Sequence, residues 1–464
     1  MKKTTDYLFL VYSKSGVKNI AFEELSANGK IIKGNGSQNV AEHDLLVFDG
    51  NSYTANELKD LAKYAKDALD SNTPVLILGS TKAHKSALSS MGALGSYIEE
   101  DSAALYIEPR YDANGNQRIA LAEQFFPNSN QAKFTRSVGQ FDNGKSVSLA
   151  EPVVLKVETL VPTVLDYAKF LKRVKGSVET LSSGVKLSQT DDTAPNNPPG
   201  NIPSGLYDVT PVTMYWSWAP GGAPASGYTP PAGSITLEGL VTIGVYYDNK
   251  SFNSPVQWLL IEHSGLYSTA GLEANDNTHI GWSVGALSID GQNISSKTMV
   301  SKQSSPNNVN GQTQYTSGTE FSVGISAGTD GLSANASYTI SSSQTSSIND
   351  WTIVQSDPNT WNFSQSVPYN GNNKPGSFPN GAAGSGGVAA LPPISVGSLA
   401  FDTQSVWAQL PATQTNISVP YSFAANSFFT YADATGKSWH AWCWTYAVTF
   451  NQTYAVNFSN AWPS

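Results

Sequence analysis

FSVGISAGTDGLSANASYTI, residues 321–340, alternates apolar residues with small polar ones, passes through an Asp-Gly pair at 330–331 and resumes the alternation. An Asp-Gly pair between alternating arms is the strongest short-range signal of a β-hairpin with a two-residue type I′ loop. With that loop, Val323 is expected to pair with Tyr338. A slip by one residue would move every side chain to the opposite face, so the register matters.

One face of this predicted hairpin is apolar and the other is small and polar. Strands of a membrane-spanning β-barrel need this pattern over about 9 to 11 residues, because one side meets lipid and the other meets water. Soluble antiparallel sheets alternate as well, since one of their faces packs on a core. The flanks, 301–319 and 341–347, are almost free of apolar residues, which favours a stem that lies against a body and then swings out. The residues predicted to form the membrane-inserting stem are Phe321, Val323, Ile325, Ala327, Asp330, Gly331, Leu332, Ala334, Ala336, Tyr338 and Ile340.

Charge divides the 464-residue chain into two unlike parts. Residues 1–205 hold 22 of the 27 Lys and Arg and 23 of the 36 Asp and Glu. The remainder is weakly charged and rich in Gly, Ser, Thr, Asn and aromatic residues, which is typical of all-β architecture with many turns. Because the net charge is −9 and the second part has no basic patch, nucleic acid is excluded as a partner.

The sequence shows no residue pattern typical of a metal site or of covalent catalysis. Cys443 is the only cysteine, so an intrachain disulfide and a thiolate metal cluster are excluded. The five histidines lack metal-site spacing, and no metal or other cofactor is expected. Paired carboxylates at fixed spacing, a nucleophile elbow and a neighbouring Cys–His pair are all missing, so we expect no enzymatic activity.

Membrane-spanning helices are not predicted either. No stretch approaches the roughly 20 apolar residues of such a helix. Lys2 and Lys3 precede an apolar run of only six residues without a small-residue cleavage site, which predicts a first strand rather than a signal peptide. The chain is therefore expected to be soluble when made, and any membrane contact is expected to come from β-structure.

The organisation along the chain predicts three segments. Residues 1–130 alternate strands with helices, which is typical of a small α/β layer domain. Its clearest elements are helices at about 55–69 and 83–94 and buried strands at 44–48 and 74–78. The acidic run 99–101 is predicted to be a solvated loop.

Residues 131–205 are predicted to be a connector. It carries an amphipathic helix over 162–181, which we expect to dock on the body, and a Pro- and Asn-rich linker over 189–204 that is a plausible protease site. Residues 206–464 alternate strand and turn. The predicted fold is thus a small N-terminal α/β domain followed by a mainly antiparallel β-sandwich with a prestem hairpin at about 312–348.

Residues 324–340, followed by Asp350-Trp-Thr-Ile and Thr360-Trp-Asn-Phe-Ser-Gln-Ser-Val, resemble the stem and next strand of the leukocidin and hemolysin family of β-barrel pore-forming toxins. The α/β domain in front looks like the arrangement in vibrio cytolysins, where a prodomain precedes the toxin core and is cut away. The resemblance implies a secreted or released cytolysin that binds a lipid or glycan receptor, assembles into a homo-oligomeric ring and inserts one hairpin per copy. The barrel must close, because lipid cannot satisfy an open strand edge.

Further expectations follow from this resemblance. Trp216, Trp218 and Phe378 are candidates for membrane contact at the rim, since aromatic residues favour the membrane interface; the alternative for each is core or inter-strand packing. An activating protease is expected to cut within about 182–205 and release the front domain. Ile325→Asp is expected to abolish lysis. The alternative function is a non-catalytic, lectin-like carbohydrate-binding protein, suggested by the aromatic residues, the Asn- and Gly-rich loops and the low charge.

Overall fold

The computed structural model describes much of the chain, in segments. The described residues are 7–14, 29–36, 38–53, 57–111, 117–125, 132–142, 145–147, 153–156, 207–218, 234–248, 255–269, 279–292, 299–305, 313–316, 321–324, 335–338, 345–348, 351–365, 398–409, 411–413, 415–435 and 438–462, with single residues at 26, 115, 170, 174, 178, 272 and 294. The protein is mostly β-strands in mixed and antiparallel sheets, with few helices.

Helices and strands have these bounds. The helices are α1 (Leu58–Asp70) and α2 (Lys82–Ser90). The first ten strands are β1 (Leu8–Tyr12), β2 (Lys30–Lys33), β3 (Leu45–Asp49), β4 (Val75–Ser80), β5 (Tyr97–Ile98), β6 (Ser102–Tyr111), β7 (Gln117–Phe125), β8 (Ala132–Asp142), β9 (Lys145–Val147) and β10 (Val153–Lys156). The others are β11 (Tyr207–Trp218), β12 (Ile235–Asp248), β13 (Val256–Ser268), β14 (His279–Gly291), β15 (Met299–Ser305), β16 (Thr313–Thr316), β17 (Phe321–Gly324), β18 (Asn335–Tyr338), β19 (Thr345–Ile348), β20 (Trp351–Asp357), β21 (Thr360–Gln365), β22 (Ser398–Gln409), β23 (Ile417–Thr435) and β24 (Ser438–Val456).

Two large sheets contain most of these strands. Sheet A has eleven strands in the order β15-β22-β13-β12-β11-β7-β6-β4-β3-β1-β2. Sheet B has nine strands, in the order β10-β8-β24-β23-β14-β21-β20, with β5 also paired to β24 and β9 to β8. The remaining four strands form two separate ladders, β16 with β19 and β17 with β18.

The N-terminal end of sheet A is the predicted α/β layer. β1, β2, β3 and β4 pair in parallel, and α1 and α2 follow β3 and β4 as the apolar periodicity predicted. Both helices bury apolar residues against one face of the sheet, where Leu61 and Leu88 join the same core as Leu46 and Phe48. Continuous apolar strands between helices are typical of a parallel sheet that is covered on its faces.

Three residues of the predicted helix 162–181 pack against the opposite face of this layer. Phe170, Val174 and Val178 are helical and buried, and their spacing of four residues places them on one stripe. The Phe170 ring meets the Tyr215 ring edge-on, with 5.8 Å between centroids. Docking on the body is therefore confirmed for these three residues, while the other residues of 162–181 and the linker 189–204 lie outside the described residues.

The predicted division of the chain does not separate two cores. We refer to residues 1–205 as the front part and to residues 206–464 as the back part. β7 of the front part pairs in parallel with β11 of the back part, so sheet A runs through both. One apolar core extends from beneath α1 into the space between sheets A and B, and includes Leu61, Trp216, Val284 and Phe450.

The acidic run 99–101 is a loop, as predicted, but only Asp101 is exposed, whereas Glu99 and Glu100 are half-buried and make contacts. Glu99 forms an ion pair with Lys82 and accepts a hydrogen bond from Ser418 Oγ at 3.0 Å. The Glu100 carboxylate accepts a bond from the Thr453 backbone N–H at 2.6 Å. The run therefore ties the front part to β23 and β24. Sequence spacing gives no signal of these contacts, because more than 300 residues separate their partners.

Candidate functional site

The predicted hairpin lies in sequence between the edges of the two large sheets. β15 is the last strand of sheet A and β20 is the last strand of sheet B, within the described residues. The two small ladders come from the chain between them. The chain thus leaves the edge of one sheet, pairs with itself and then enters the edge of the other sheet.

Two antiparallel ladders form this hairpin. In the outer ladder, Thr313 pairs with Ile348 and Thr316 with Thr345, which is the register that a two-residue loop at 330–331 requires. The inner ladder pairs Phe321 with Tyr338 through to Gly324 with Asn335. The described residues of β16 to β19 therefore pair as two antiparallel ladders.

The predicted pairing within the inner ladder is wrong by two residues. Val323 was expected opposite Tyr338 and lies opposite Ala336. The reason is unequal arm length, because the segment between the ladders is four residues (317–320) in the first arm and six residues (339–344) in the second. Register is weakly specified in strands built from Gly and small polar residues, and the sequence could not fix it.

This shift leaves the two faces as the sequence predicted them. Side chains alternate along a strand with a period of two, so an even shift exchanges no residue between faces. The pairs Phe321–Tyr338 and Val323–Ala336 share one face, and the alternate pair Ser322–Ser337 belongs to the other. The other predicted stem residues, which are Ile325, Ala327, Asp330, Gly331, Leu332, Ala334 and Ile340, lie outside the described residues.

The rim prediction fails for both tryptophans. Trp216 is 2% exposed and Trp218 is 1% exposed. Their rings pack between sheets A and B, where Trp216 stacks on Phe125 at 5.4 Å and Trp218 lies 5.3 Å from Phe450. Both residues occupy even positions on β11, whose even positions face the core, so the alternative of core packing is confirmed. Phe378 lies outside the described residues.

A set of polar contacts fixes the sheet B strand that follows the hairpin. Asn359 is fully buried in the turn between β20 and β21, and its Nδ2 donates to the Gln292 carbonyl at 3.1 Å. Thr360 Oγ1 donates to Asp290 Oδ1 at 2.9 Å. These contacts hold the β20–β21 turn and the start of β21 against the end of β14, and β20 follows the hairpin as the strand paired to β21. Sequence reasoning missed them, although Asp-Pro-Asn at 357–359 is a turn signal.

Two neighbouring ionisable groups are buried inside the back part. His263 Nε2 lies 2.9 Å from Tyr454 Oη, between the two sheets, and burial lowers the pKa of His263 to about 3. Glu262 faces the other side of sheet A, and burial raises its pKa to about 8. Because adjacent strand residues point to opposite faces, these groups do not form an acid–base pair. Burial therefore favours the neutral form of both groups.

Metal ligands are not gathered anywhere in the part of the chain that is described. There, no group of three or more His, Cys, Asp and Glu side chains is placed to hold a metal ion. The described helices include none that is both long and apolar enough to cross a membrane.

Comparison with known proteins adds a weak similarity of fold. No family model and no curated protein matches the chain. Among solved structures, it is similar to the Clostridium perfringens NetB toxin in its membrane-inserted form, with 9% sequence identity and a TM-score of 0.29. The match covers 55% of this chain and 98% of that chain. At this TM-score, the function has to be argued from the hairpin itself.

Proposed function

We propose that the chain is a pore-forming protein that inserts the hairpin of residues 313–348 into a target membrane. The observation that carries the proposal is the pair of antiparallel ladders between two sheet edges, of which the inner ladder has one apolar and one small polar face. A strand with these two faces satisfies lipid on one side and water on the other. Since β15 and β20 are anchored at the edges of the body, the hairpin can leave the body without unravelling either sheet.

In this proposal, the backbone hydrogen-bonding groups of the hairpin require several copies to assemble. One hairpin supplies two strands, and an open two-stranded ribbon leaves unpaired N–H and C=O groups that lipid cannot satisfy. Several copies must therefore close one barrel. In this proposal the chain is released from its cell, recognises a lipid or glycan on the target membrane, assembles into a ring after a protease cuts within 182–205, and acts without enzymatic chemistry.

Two substitutions test which face of the hairpin meets lipid. Val323→Asp places a charge on the lipid side, which costs about 2–4 kcal/mol per copy near the bilayer midplane. Ser322→Asp places the same charge on the water side, one residue away. We expect Val323→Asp to abolish calcein release from liposomes and Ser322→Asp to retain it. Both variants are measured with and without prior trypsin treatment, and both should unfold at the wild-type temperature.

Two outcomes would contradict the proposal. Equal leakage from the two variants would remove the stem assignment. Absence of leakage from the wild type under every lipid composition, together with binding on a glycan array, would replace the pore with the carbohydrate-binding alternative.

A further inference from the structure

A cavity of about 310 Å³ lies between elements of the front part and elements of the back part. We call it the junction cavity. The front part lines it with the end of α1, the loop that follows α2 and the start of β7. The back part contributes Asp208 at the start of β11 and Asn460 near the end of the chain. The volume is at the small end of the range found for ligand sites, so the cavity suits a small molecule.

The charged side chains that line the junction cavity, within the described residues, form two pairs of opposite sign. Lys66 and Asp70 form an ion pair of 2.9 Å, and both are exposed to solvent at the cavity. Arg118 and Asp208 are more buried, with side chains 15% and 11% exposed. Arg118 Nη1 lies 4.0 Å from Asp208 Oδ1, which is longer than a direct hydrogen bond. The cavity is therefore neutral as a whole and has separated charges in its inner pair.

Asp208 provides a position for a cationic group. Its Oδ2 accepts a hydrogen bond from Asn460 Nδ2 at 2.9 Å. Burial raises the pKa of the Asp208 carboxyl, and the bond from Asn460 and the charge of Arg118 offset this only in part. An ammonium group beside the carboxylate would favour its ionised form. Since a carboxylate has about four acceptor positions, it can accept from such a group while it keeps the bond from Asn460.

Arg118 provides the position for an anionic group. A guanidinium carries several N–H donors in a planar fork, so it can bind a carboxylate in addition to its contacts within the protein. In an α-amino acid, one carbon atom separates the ammonium group from the carboxylate. Two protein groups that lie side by side, as Arg118 and Asp208 do, can therefore bind both ends of one such molecule.

The junction cavity also has apolar walls. Leu69, Ala93 and Leu94 are buried at the cavity, and Ile119 is half-buried there. An aliphatic group that packs against these side chains leaves water, which stabilises the complex. The walls therefore favour a ligand that carries a small aliphatic side chain beside its two charged groups.

We propose that the junction cavity binds a free α-amino acid with a small aliphatic side chain. Arg118 binds its carboxylate, Asp208 binds its ammonium group, and the apolar walls pack against its side chain. A neutral cavity with separated charges matches a zwitterion and disfavours phosphate and other anions. The site involves no residue of the hairpin, so the inference is independent of the proposed function.

Calorimetric titration of the full chain tests the ligand class with three probes of similar shape. L-Valine carries both charged groups, L-valinamide lacks the carboxylate, and 3-methylbutanoate lacks the amino group. We expect L-valine to bind and each of the other two to bind about tenfold more weakly or not at all, because each loses a charged hydrogen-bonding partner. L-Alanine and L-leucine are titrated as well, to include a smaller and a larger side chain.

Three results of these titrations would overturn the proposal. They are absence of binding by all three amino acids, equal binding of L-valine and either of its analogues, and binding of inorganic phosphate or glucose in place of the amino acids. These titrations use the wild-type chain, so they decide the ligand class whether or not a variant folds.

Two variants locate the site. Arg118→Gln and Asp208→Asn each remove one charge, and an amide at position 208 can still accept the bond from Asn460. We expect each to weaken the binding of L-valine about tenfold. Lys63→Gln and Asp67→Asn are the matched controls, because both residues are exposed on α1 and neither is among the described residues that line the cavity. The controls should bind L-valine as the wild type does.

A third variant keeps every charge and changes only the shape of the cavity. A Cβ at Gly95 would lie 2.5 Å from Asp208 Oδ2 and 3.2 Å from Asn460 Nδ2, so Gly95→Ala must displace these polar groups. We expect it to weaken the binding of L-valine as well. Urea unfolding identifies the variants that are folded. Wild-type affinity in the folded variants of Arg118, Asp208 and Gly95 would place the binding elsewhere and overturn the proposal.

Discussion

One buried site in the front part and one in the back part hold their ionisable side chains in opposite ways. In the front part, Lys85 and Glu123 are both fully buried and form an ion pair, and Lys85 Nζ also donates to the Glu100 carbonyl at 2.6 Å. In the back part, Glu262 and His263 are buried, and the shifts of their pKa values come from burial. Lys85 and Glu123 therefore compensate each other's charge, whereas burial of Glu262 and His263 favours their neutral forms. Removing one group should be costly in the first case and mild in the second.

The largest expected effect comes from breaking the buried pair. Lys85→Met leaves the Glu123 carboxylate without its cation, and such a loss costs about 3–5 kcal/mol in the free energy of unfolding. Replacing both groups, as Lys85→Met with Glu123→Leu, should restore most of that stability, because apolar residues of similar volume often substitute well for a buried pair. Urea unfolding of the two variants measures this. If the single and the double variant lowered the free energy of unfolding equally, the ion pair would not be what stabilises this region.

Glu262→Gln should have no effect near pH 4.5 and an effect that grows as the pH rises. The folded pKa of Glu262, about 8, lies above its ordinary value of 4.5. The stability that the protonated form contributes is complete below about pH 4.5 and is lost as the pH rises through 8. The expected slope is roughly 1.4 kcal/mol for each pH unit. Gln imitates the protonated acid, so the variant should be more stable than the wild type at pH 8 and equal to it near pH 4.5 in urea titrations.

His263→Gln should give the smallest effect and the opposite slope. Burial depresses the pKa of His263 from 6.5 to about 3, so its contribution is present above pH 6.5 and falls as the pH drops towards 3. Between pH 6.5 and 5 the wild type should lose about 2 kcal/mol relative to a variant that cannot titrate. Thermal unfolding at the two pH values tests this. A constant difference between variant and wild type would mean that His263 is not held neutral.

Local periodicity predicted most of the described elements, whereas the pairing of strands far apart in the sequence could not be predicted. α1 and α2 were found because apolar residues recur at helical spacing between buried strands. β23 was missed, since Pro420 and a run of small residues obscure its alternation. The pairing of β7 with β11 was not predictable, because about 90 residues separate the two strands and neither carries a turn signal that joins them. The sequence therefore did not predict that the front and back parts, which differ in composition, share sheet A.

The candidate site, too, could be predicted only in part from the sequence. Alternation was enough to assign the faces of the hairpin, since a period of two survives any even shift. It was not enough to fix which residues pair. For Trp216 and Trp218, composition suggested a membrane contact, whereas their even positions on β11 placed them in the core. The position of a residue on its strand was a better guide there than its chemical type.

The unequal arms of the hairpin also have an evolutionary consequence. An insertion or deletion of two residues in one arm preserves which residues meet lipid, while a change of one residue reverses the whole arm beyond it. Homologous hairpins that keep the same use should therefore differ in arm length by even numbers. Odd changes should be confined to the loop at their tip, where no ladder follows.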